Sequence, residues 1–227
     1  MESHVIPYVE FMGLPGSGKS YLSHKVAEVL RAEGFEIVEP SWKLDHEYWK
    51  LSRVVRKMWM GCLFWIFQFG KSVRLTNTVN TCGLQKDDEK RITRNLLYKA
   101  YLLTFHKKGI LFFDEGIAQM AVSMAVDSGM RAQKIYDDLM DILSFNQKNL
   151  VVKIDCDVET ALLNMELRKS RDSKADRLDG IEIKIEYLNE YKKACESVVA
   201  NNMTTVPFCY QDEEVVSRIV NEIKTRI

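Results

Sequence analysis

The stretch Gly13-Leu14-Pro15-Gly16-Ser17-Gly18-Lys19-Ser20 decides the fold of this chain. It matches the pattern G-x-x-x-x-G-K-[ST], in which glycines let successive backbone N–H groups turn inward around a phosphate. The apolar residues 5–12 before it are predicted to form a strand, and residues 21–31 after it carry apolar side chains at helical spacing. Strand, loop and helix in this order predict a P-loop, and therefore a nucleotide-binding protein.

The residues of this loop have expected roles toward ATP and Mg²⁺. The helix after the loop directs the positive end of its dipole at the phosphates, and Lys19 is predicted to reach the β- and γ-phosphates in catalysis. The Ser20 hydroxyl is predicted to bind Mg²⁺. The loop residues predicted to bind ATP are Gly13, Pro15, Gly16, Ser17, Gly18, Lys19 and Ser20. A glycine-rich turn without a ligand is the weaker alternative, because strand, loop and helix are in register.

The totals of the sequence are those of an ordinary globular protein. Its 227 residues suffice for one α/β domain, predicted to span residues 1–227. Lys and Arg total 32, as do Asp and Glu, so the net charge gives no case for a nucleic-acid-coating surface. The five cysteines are scattered and the N-terminus shows no signal pattern, which favours free thiols and a cytoplasmic location.

Residues 58–69 are unusually rich in apolar and aromatic side chains. The segment is too short to span a bilayer, which takes about 20 apolar residues, so no transmembrane segment is expected. A buried or interface helix is favoured over membrane contact by the same length criterion. Because an exposed patch of this kind would mark an interaction site, a homodimer or another interface through residues 58–69 is an open alternative.

Strands alternate with helices along the chain. This order predicts an α/β fold with a mostly parallel sheet that is covered by helices on both faces. Residues 42–75 are predicted to be mainly helical, residues 76–86 to form a polar loop, and residues 86–107 to form another helix. Ligands bind at the carboxyl ends of parallel strands, so polar residues that follow the strands are expected to converge there.

Carboxylates stand at two of these strand ends. Asp114 follows a run of four apolar residues, where a carboxylate beside a P-loop binds Mg²⁺ and its waters; a helix cap is the weaker alternative. Glu39 ends the second predicted strand, and a carboxylate near the γ-phosphate could take the proton from an attacking hydroxyl as a general base. On that residue alone, a solvated strand end before Pro40 is an equal alternative.

A charged segment later in the chain supplies cations. Arg168 and Arg171, three residues apart, would share one helix face. Cations that close over a transferring phosphoryl group stabilise the negative charge on its equatorial oxygens. Both arginines are therefore predicted to be catalytic, with Arg168 also contacting the nucleotide. A solvated, charge-rich helix end is the alternative.

Taken together, these residues resemble the deoxynucleoside kinase and thymidylate kinase group of P-loop kinases. Glu39-Pro40-Ser41-Trp42 is similar to the Glu-Pro-Val-x-x-Trp segment of deoxynucleoside kinases, whose glutamate is the catalytic base. Arg168 and Arg171, followed by Asp176 and Arg177, resemble the arginine-bearing lid of thymidylate kinases. The resemblance implies a three-layer P-loop fold with a central five-stranded parallel sheet and a short lid at about residues 168–180.

Glu115 departs from this pattern. The family usually has an arginine after the acidic residue of the third strand, and that arginine touches the acceptor near its reacting oxygen. A second carboxylate at this position would repel a phosphate on the acceptor. The departure favours a neutral hydroxyl acceptor over a nucleoside monophosphate.

The predicted function is ATP- and Mg²⁺-dependent phosphoryl transfer to the hydroxyl of a small molecule, with nucleosides among the candidate acceptors. The acceptor site is predicted in the helical region 42–107, and the residues expected to line it are Glu39, Trp42, Arg94, Tyr98 and Glu115. One alternative is a nucleoside monophosphate kinase of thymidylate kinase type. The others are a nucleotide hydrolase that uses Asp114 and Glu115, and a binding module that recruits a partner or membrane through residues 58–69.

Overall fold

The computed structural model describes residues 8–47, 49–143, 149–167, 174–208 and 213–226. The strands are β1 Tyr8–Met12, β2 Ile37–Val38, β3 Ile110–Phe113, β4 Asn149–Asp155 and β5 Met203–Pro207. The helices are α1 Lys19–Ala32, α2 Pro40–Glu47, α3 Lys50–Phe67, α4 Phe69–Thr81, α5 Lys86–Phe105, α6 Ile117–Ser128, α7 Ala132–Leu143, α8 Val158–Leu167, α9 Ile181–Ser197 and α10 Glu213–Lys224.

The described strands form one five-stranded sheet in the order β2-β3-β1-β4-β5, with every pairing parallel. In β1, Tyr8 lies opposite Leu111 of β3 on one side and Asn149 of β4 on the other. All carboxyl ends therefore meet at one edge, where the loops after β1 and β3 are neighbours. The predicted α/β fold with a central parallel sheet is confirmed.

The sheet is buried on both faces, as its continuous apolar strands predicted. Successive residues of β1 point to opposite faces: Val9 and Phe11 belong to the core beneath α1 and α10, whereas Tyr8 and Met12 belong to the core shared with α5, α6, α7 and α9. The three layers of helices, sheet and helices bring the start of α1 to the edge at which β1 and β3 end.

Two regions differ from the sequence-based expectations. The loop predicted for residues 76–86 was wrong over its first part, since α4 continues to Thr81. Leu75 and Val79, four residues apart, are fully buried there, and this packing outweighs the low helix propensity of the neighbouring Asn and Thr residues. Helix α6 was not predicted, because it is buried almost all round and lacks the polar face that reveals an amphipathic helix.

No helix among the described residues is long and apolar enough to cross a membrane. Cys82, Cys156 and Cys195 are buried free thiols and Cys62 is an exposed one.

Candidate active site

The loop after β1 has the conformation that a phosphate site requires. Gly16 has φ +86°, and a Cβ there would overlap the carbonyl oxygen of Ala161, so only glycine fits. Helix α1 begins at Lys19 without a side-chain cap and without an acidic residue in its first turn. The backbone N–H groups of that turn, and the positive end of the helix dipole, are therefore directed at the loop.

Lys19 lies inside this loop. It is buried, and its Nζ donates hydrogen bonds to the carbonyl oxygens of Gly13 and Leu14 at 3.0 and 2.8 Å. The buried Ser17 Oγ has no hydrogen-bond partner among the described residues. A buried ammonium group and an unsatisfied buried hydroxyl in the loop before the start of α1 fit a phosphate group.

Gln119 of α6 forms a hydrogen bond with the phosphate loop, and the sequence analysis did not identify it. Its Oε1 accepts a hydrogen bond from the Gly13 N–H at 2.9 Å, and its Nε2 donates to the Tyr191 hydroxyl at 2.6 Å. The same hydroxyl lies 2.7 Å from Ser123 Oγ. The phosphate loop, α6 and α9 are thus joined by one buried chain of hydrogen bonds. The signal in the sequence is a single glutamine within the otherwise apolar start of a segment that follows a strand.

Ser20 and Asp114 meet at the edge of the sheet as predicted for a metal pair. Ser20 Oγ donates to Asp114 Oδ2 at 2.9 Å. A hydroxyl and a carboxylate are the hard oxygen ligands that Mg²⁺ uses, usually together with waters and substrate phosphates. Among the residues that the structure describes, no cluster of three or more His, Cys, Asp or Glu side chains could hold a metal alone. These residues fit a Mg²⁺ ion that binds together with a nucleotide.

Glu39 is held in place by two residues of α1 that the sequence analysis did not identify. Arg31 Nη1 lies 2.7 Å from Glu39 Oε2, and His24 Nδ1 lies 3.1 Å from the same oxygen. Trp42 stacks on the His24 ring with the centroids 3.6 Å apart. Glu39 is 7% exposed, so the ion pair with Arg31 compensates the burial of its charge.

One small cavity brings the predicted metal pair and the predicted base together. It has a volume of about 110 Å³. Its lining residues are Ser20, Ser23, Glu39, Ser41, Trp42, Phe112 and Asp114. Its wall thus joins residues of α1, residues at the end of β2 and the start of α2, and residues at the end of β3. A molecule in this cavity would lie next to Ser20, Asp114 and the Glu39 carboxylate.

The structure does not bring the other predicted acceptor residues to this cavity. Arg94 lines a separate cavity between α3, α4 and α5. Tyr98 is buried, and Lys57 Nζ lies 5.7 Å from the centre of its ring. Glu115 is exposed next to Asp114. The predicted lid arginines, Arg168 and Arg171, lie outside the described residues.

In the described part of the predicted lid, Lys174 forms ion pairs with two helices. Lys174 Nζ lies 2.7 Å from Asp127 at the end of α6 and 3.5 Å from Asp88 at the start of α5. A short 3-10 helix, Ala175–Arg177, follows it. Lys174 therefore connects the segment after Arg171 to the start of α5 and the end of α6.

A buried carboxylate supports the start of α6. Glu10, in the middle of β1, is fully buried and accepts a hydrogen bond from the Ala118 N–H at 3.0 Å. A Cβ at Gly116 would overlap this carboxylate, so a glycine is required for the close approach. Burial raises the pKa of Glu10 to about 7, although hydrogen bonds from the N–H groups of Ala118 and Ile117 oppose the rise.

Comparison with known proteins supports the fold. No protein-family model matches the chain, and no curated protein sequence matches it either. Two solved structures superpose over nearly the whole chain. A deoxyadenosine kinase from M. mycoides, bound to its products dCMP and dCDP, is 17% identical with a TM-score of 0.52, and the match covers 96% of this chain and 98% of that one.

The second structure is a shikimate kinase from Acinetobacter baumannii in complex with shikimate. It is 18% identical with a TM-score of 0.51, and the match covers 97% of this chain and 94% of that one. At these identities the similarity establishes a shared fold, which is the fold of P-loop kinases. The fold expected from the resemblance to deoxynucleoside kinases is therefore confirmed.

Proposed function

We propose that this protein is an ATP- and Mg²⁺-dependent kinase that transfers a phosphoryl group to the hydroxyl of a small molecule. The observation that carries the proposal is the cavity in which the Ser20–Asp114 pair and Glu39 lie together beside the phosphate loop. A nucleotide-binding module needs no buried carboxylate opposite the metal pair. The similarity in fold to two small-molecule kinases supports the same conclusion.

The donor half of the reaction is assigned to the loop. Its backbone N–H groups and the start of α1 would hold the phosphates of ATP, with Ser20 and Asp114 as the protein ligands of Mg²⁺. The chemistry supplied by the bound ion is neutralisation of charge on the phosphates. Lys19, which now bonds to two carbonyl groups of the loop, would exchange these for phosphate oxygens and stabilise the negative charge of the transition state. Arg168 and Arg171 are proposed to add positive charge from the lid.

Glu39 is assigned to the acceptor half as general base. The Arg31 guanidinium and the His24 ring hold its carboxylate in place in the wall of the cavity. An acceptor hydroxyl in the cavity would donate a hydrogen bond to Glu39, which would take the proton as the oxygen attacks the γ-phosphate. Arg31 and His24 act here as positioning residues.

The acceptor is proposed to be neutral at the reacting end. The charged groups that the structure shows in the cavity wall are the carboxylates of Glu39 and Asp114, with Glu115 exposed beside them. They would repel a phosphate on the acceptor. The hydroxyls of Ser23 and Ser41 and the Trp42 ring suit a polyol or a nucleoside, which offers hydroxyl groups and a flat or apolar face.

Turnover with and without acceptors tests the proposal. ADP release from ATP and Mg²⁺ is measured alone and with separate pools of nucleosides, nucleoside monophosphates and sugars. We expect release to depend on an acceptor that carries a free hydroxyl and no phosphate. Equal release without any acceptor would indicate a hydrolase, and preference for a monophosphate would indicate a nucleotide kinase. Either result would overturn the proposed function.

A further inference from the structure

Helix α3 exposes a continuous apolar stripe. Leu51, Val55, Met58, Trp59, Cys62 and Ile66 recur at spacings of three and four residues and therefore lie along one side of the helix. All six are exposed, with Trp59 at 66% and Ile66 at 71%. The side that packs on the protein is a different one, marked by the fully buried Phe64. This α3 stripe is thus an apolar surface that the fold itself does not cover.

The charged residues of segment 48–86, which contains α3, are all positive. Between Glu47 and Asp87 the sequence contains no aspartate or glutamate. Its charged residues are Lys50, Arg53, Arg56, Lys57, Lys71, Arg74 and Lys86. In a chain with a net charge of zero, this run of cations is local in the sequence, although in the fold Arg74 is paired with Asp141 of α7 and Lys57 donates to Asn95 of α5. An amphipathic helix with apolar and aromatic residues on one side and only cations among its charges is typical of a segment that lies on an anionic membrane.

A cavity of about 390 Å³ opens at the edge of the α3 stripe. Met58 and Cys62 belong both to the stripe and to the cavity wall. Farther along the wall, Arg94 Nε and Thr76 Oγ1 are buried and have no hydrogen-bond partner in the described part of the chain. Lys90 and Lys57 add positive charge to the wall, and Glu89 is its one carboxylate. Unsatisfied buried donors cost free energy unless a ligand binds them, and a guanidinium group suits a phosphate.

We propose that the α3 stripe docks on the surface of a bilayer that contains anionic phospholipids. The stripe would lie in the plane of the interface, and the phosphate of one head group would enter the cavity beside Arg94. Trp59 and Ile66 would reach the acyl region, and Arg56, one helical turn from Trp59, would lie at head-group level. This places the protein on a membrane without any spanning helix, in agreement with the lengths of the described helices.

A second copy of this chain is a poorer occupant of the stripe. A two-fold interface places the same patch against itself, so the cations of α3 would approach the same cations of the other copy. Like charges placed opposite each other across an interface lower its affinity. An anionic surface instead complements both the apolar side chains and the charge.

Vesicle flotation tests the proposal. The full chain is mixed with vesicles of phosphatidylcholine alone or of phosphatidylcholine with phosphatidylserine. We expect binding to the anionic vesicles and a loss of about tenfold in partition for each of Trp59→Gln and Ile66→Gln. Arg94→Gln should reduce the preference for anionic over neutral vesicles. The matched controls are Val199→Gln, at a position 71% exposed in the loop after α9, and Arg218→Gln on α10, and neither should change binding.

Folding and oligomeric state are checked on the same samples. Melting temperature and ATP binding identify any variant that fails to fold. Such a variant is discarded, and the remaining single variants still test the proposal. Absence of binding to anionic vesicles, or binding that is equal in the Trp59→Gln and Ile66→Gln variants, overturns the proposal. A wild-type dimer that these two variants dissociate would also overturn it, in favour of a second copy on the stripe.

Discussion

Glu10 places an ionisable group in the centre of the sheet, where water does not reach it. Its carboxylate supports the first turn of α6, yet its Oε1 has no partner among the described residues. A half-satisfied buried carboxyl favours the protonated form, which explains why burial raises its pKa to about 7. The group therefore links the stability of the protein to pH.

Stability is expected to fall as the pH rises through this pKa. The folded state holds the proton up to about pH 7, whereas an unfolded glutamic acid releases it near its ordinary value of 4.5. The stabilising contribution is fully present below that ordinary value and is lost between the two, a change of about 3 kcal/mol. Thermal unfolding at pH 5 and pH 8 measures it. Glu10→Gln should remove this part of the pH dependence, and an unchanged pH profile would contradict the assignment.

Glu39 is expected to contribute to transfer and little to nucleotide binding. Glu39→Gln keeps the shape but removes the base, so phosphoryl transfer should fall by about 10²–10⁴-fold with ATP binding retained. The control is Glu28→Gln, which alters an exposed carboxylate that also contacts His24. Measurement of kcat and of the Kd for ATP separates the two steps. Unchanged transfer in Glu39→Gln would remove Glu39 from the mechanism.

The sequence identified residues whose chemistry is tied to a local pattern and missed those defined by distant contacts. The loop 13–20, Asp114 and Glu39 follow strands directly, so strand order alone placed them at one edge. His24 and Arg31 lie on α1 and reach Glu39 through side chains, and no spacing rule predicts that contact. Arg94 was predicted in the acceptor site but lines a different cavity. Its helix was predicted, but the direction of its side chain depends on how α3 and α4 pack against α5.

Helix α6 connects the parts of the candidate site. Glu10 supports its first turn, Gln119 bonds to the phosphate loop, Ser123 bonds to α9, and Asp127 pairs with Lys174 in the predicted lid segment. Helix α6 was not predicted because nearly all its residues are apolar. A helical period can be recognised in a sequence only when polar residues mark the opposite face. The contacts that it makes are the ones that orient the donor loop.

Loss of the Gln119 side chain is expected to weaken ATP binding. Gln119→Leu leaves the Gly13 N–H buried without a partner, which costs about 1–3 kcal/mol and should raise the Kd for ATP about tenfold or more. Tyr191→Phe removes only the outer bond of the chain and should have a smaller effect in the same direction. Gln133→Leu, which alters a half-buried glutamine on α7 that bonds to the Val199 backbone instead of the loop, serves as the control. Equal ATP affinity in wild type and Gln119→Leu would show that Gln119 does not position the loop.

The cores on the two faces share one sheet, so the whole chain is expected to unfold in a single transition that a bound ligand shifts. Strands buried on both faces were predictable from apolar runs, and helices on both faces of the sheet were predictable from the alternation of strands and helices. The packing of α3, α4 and α5 was not predictable from the sequence, because the three helices carry apolar residues on more than one side. The exposed α3 stripe is the clearest case, since its sequence fits a buried helix as well as an exposed one.

Binding of ATP with Mg²⁺ should raise the melting temperature of the whole chain. At a ligand concentration about a hundred times the Kd, the gain is about 2.7 kcal/mol, which corresponds to roughly 5–10 °C for a domain of this size. Lys19→Ala should remove most of this shift because the buried ammonium group is proposed to bind the phosphates. Thermal melts with ATP, with Mg²⁺ and with both measure it. A shift of the same size in Lys19→Ala would contradict the assigned role.

The hydrogen bonds from Gly13 through Gln119 to Tyr191 have a consequence for when the phosphate loop becomes rigid during synthesis of the chain. They join residues separated by 106 and 72 positions, so the donor loop gains its final support only after α9 has emerged and docked. A nascent chain that ends before α9 would contain the complete glycine-rich segment and still lack a rigid nucleotide site. Nucleotide binding would then report completion of folding, and partly made chains would not compete for ATP.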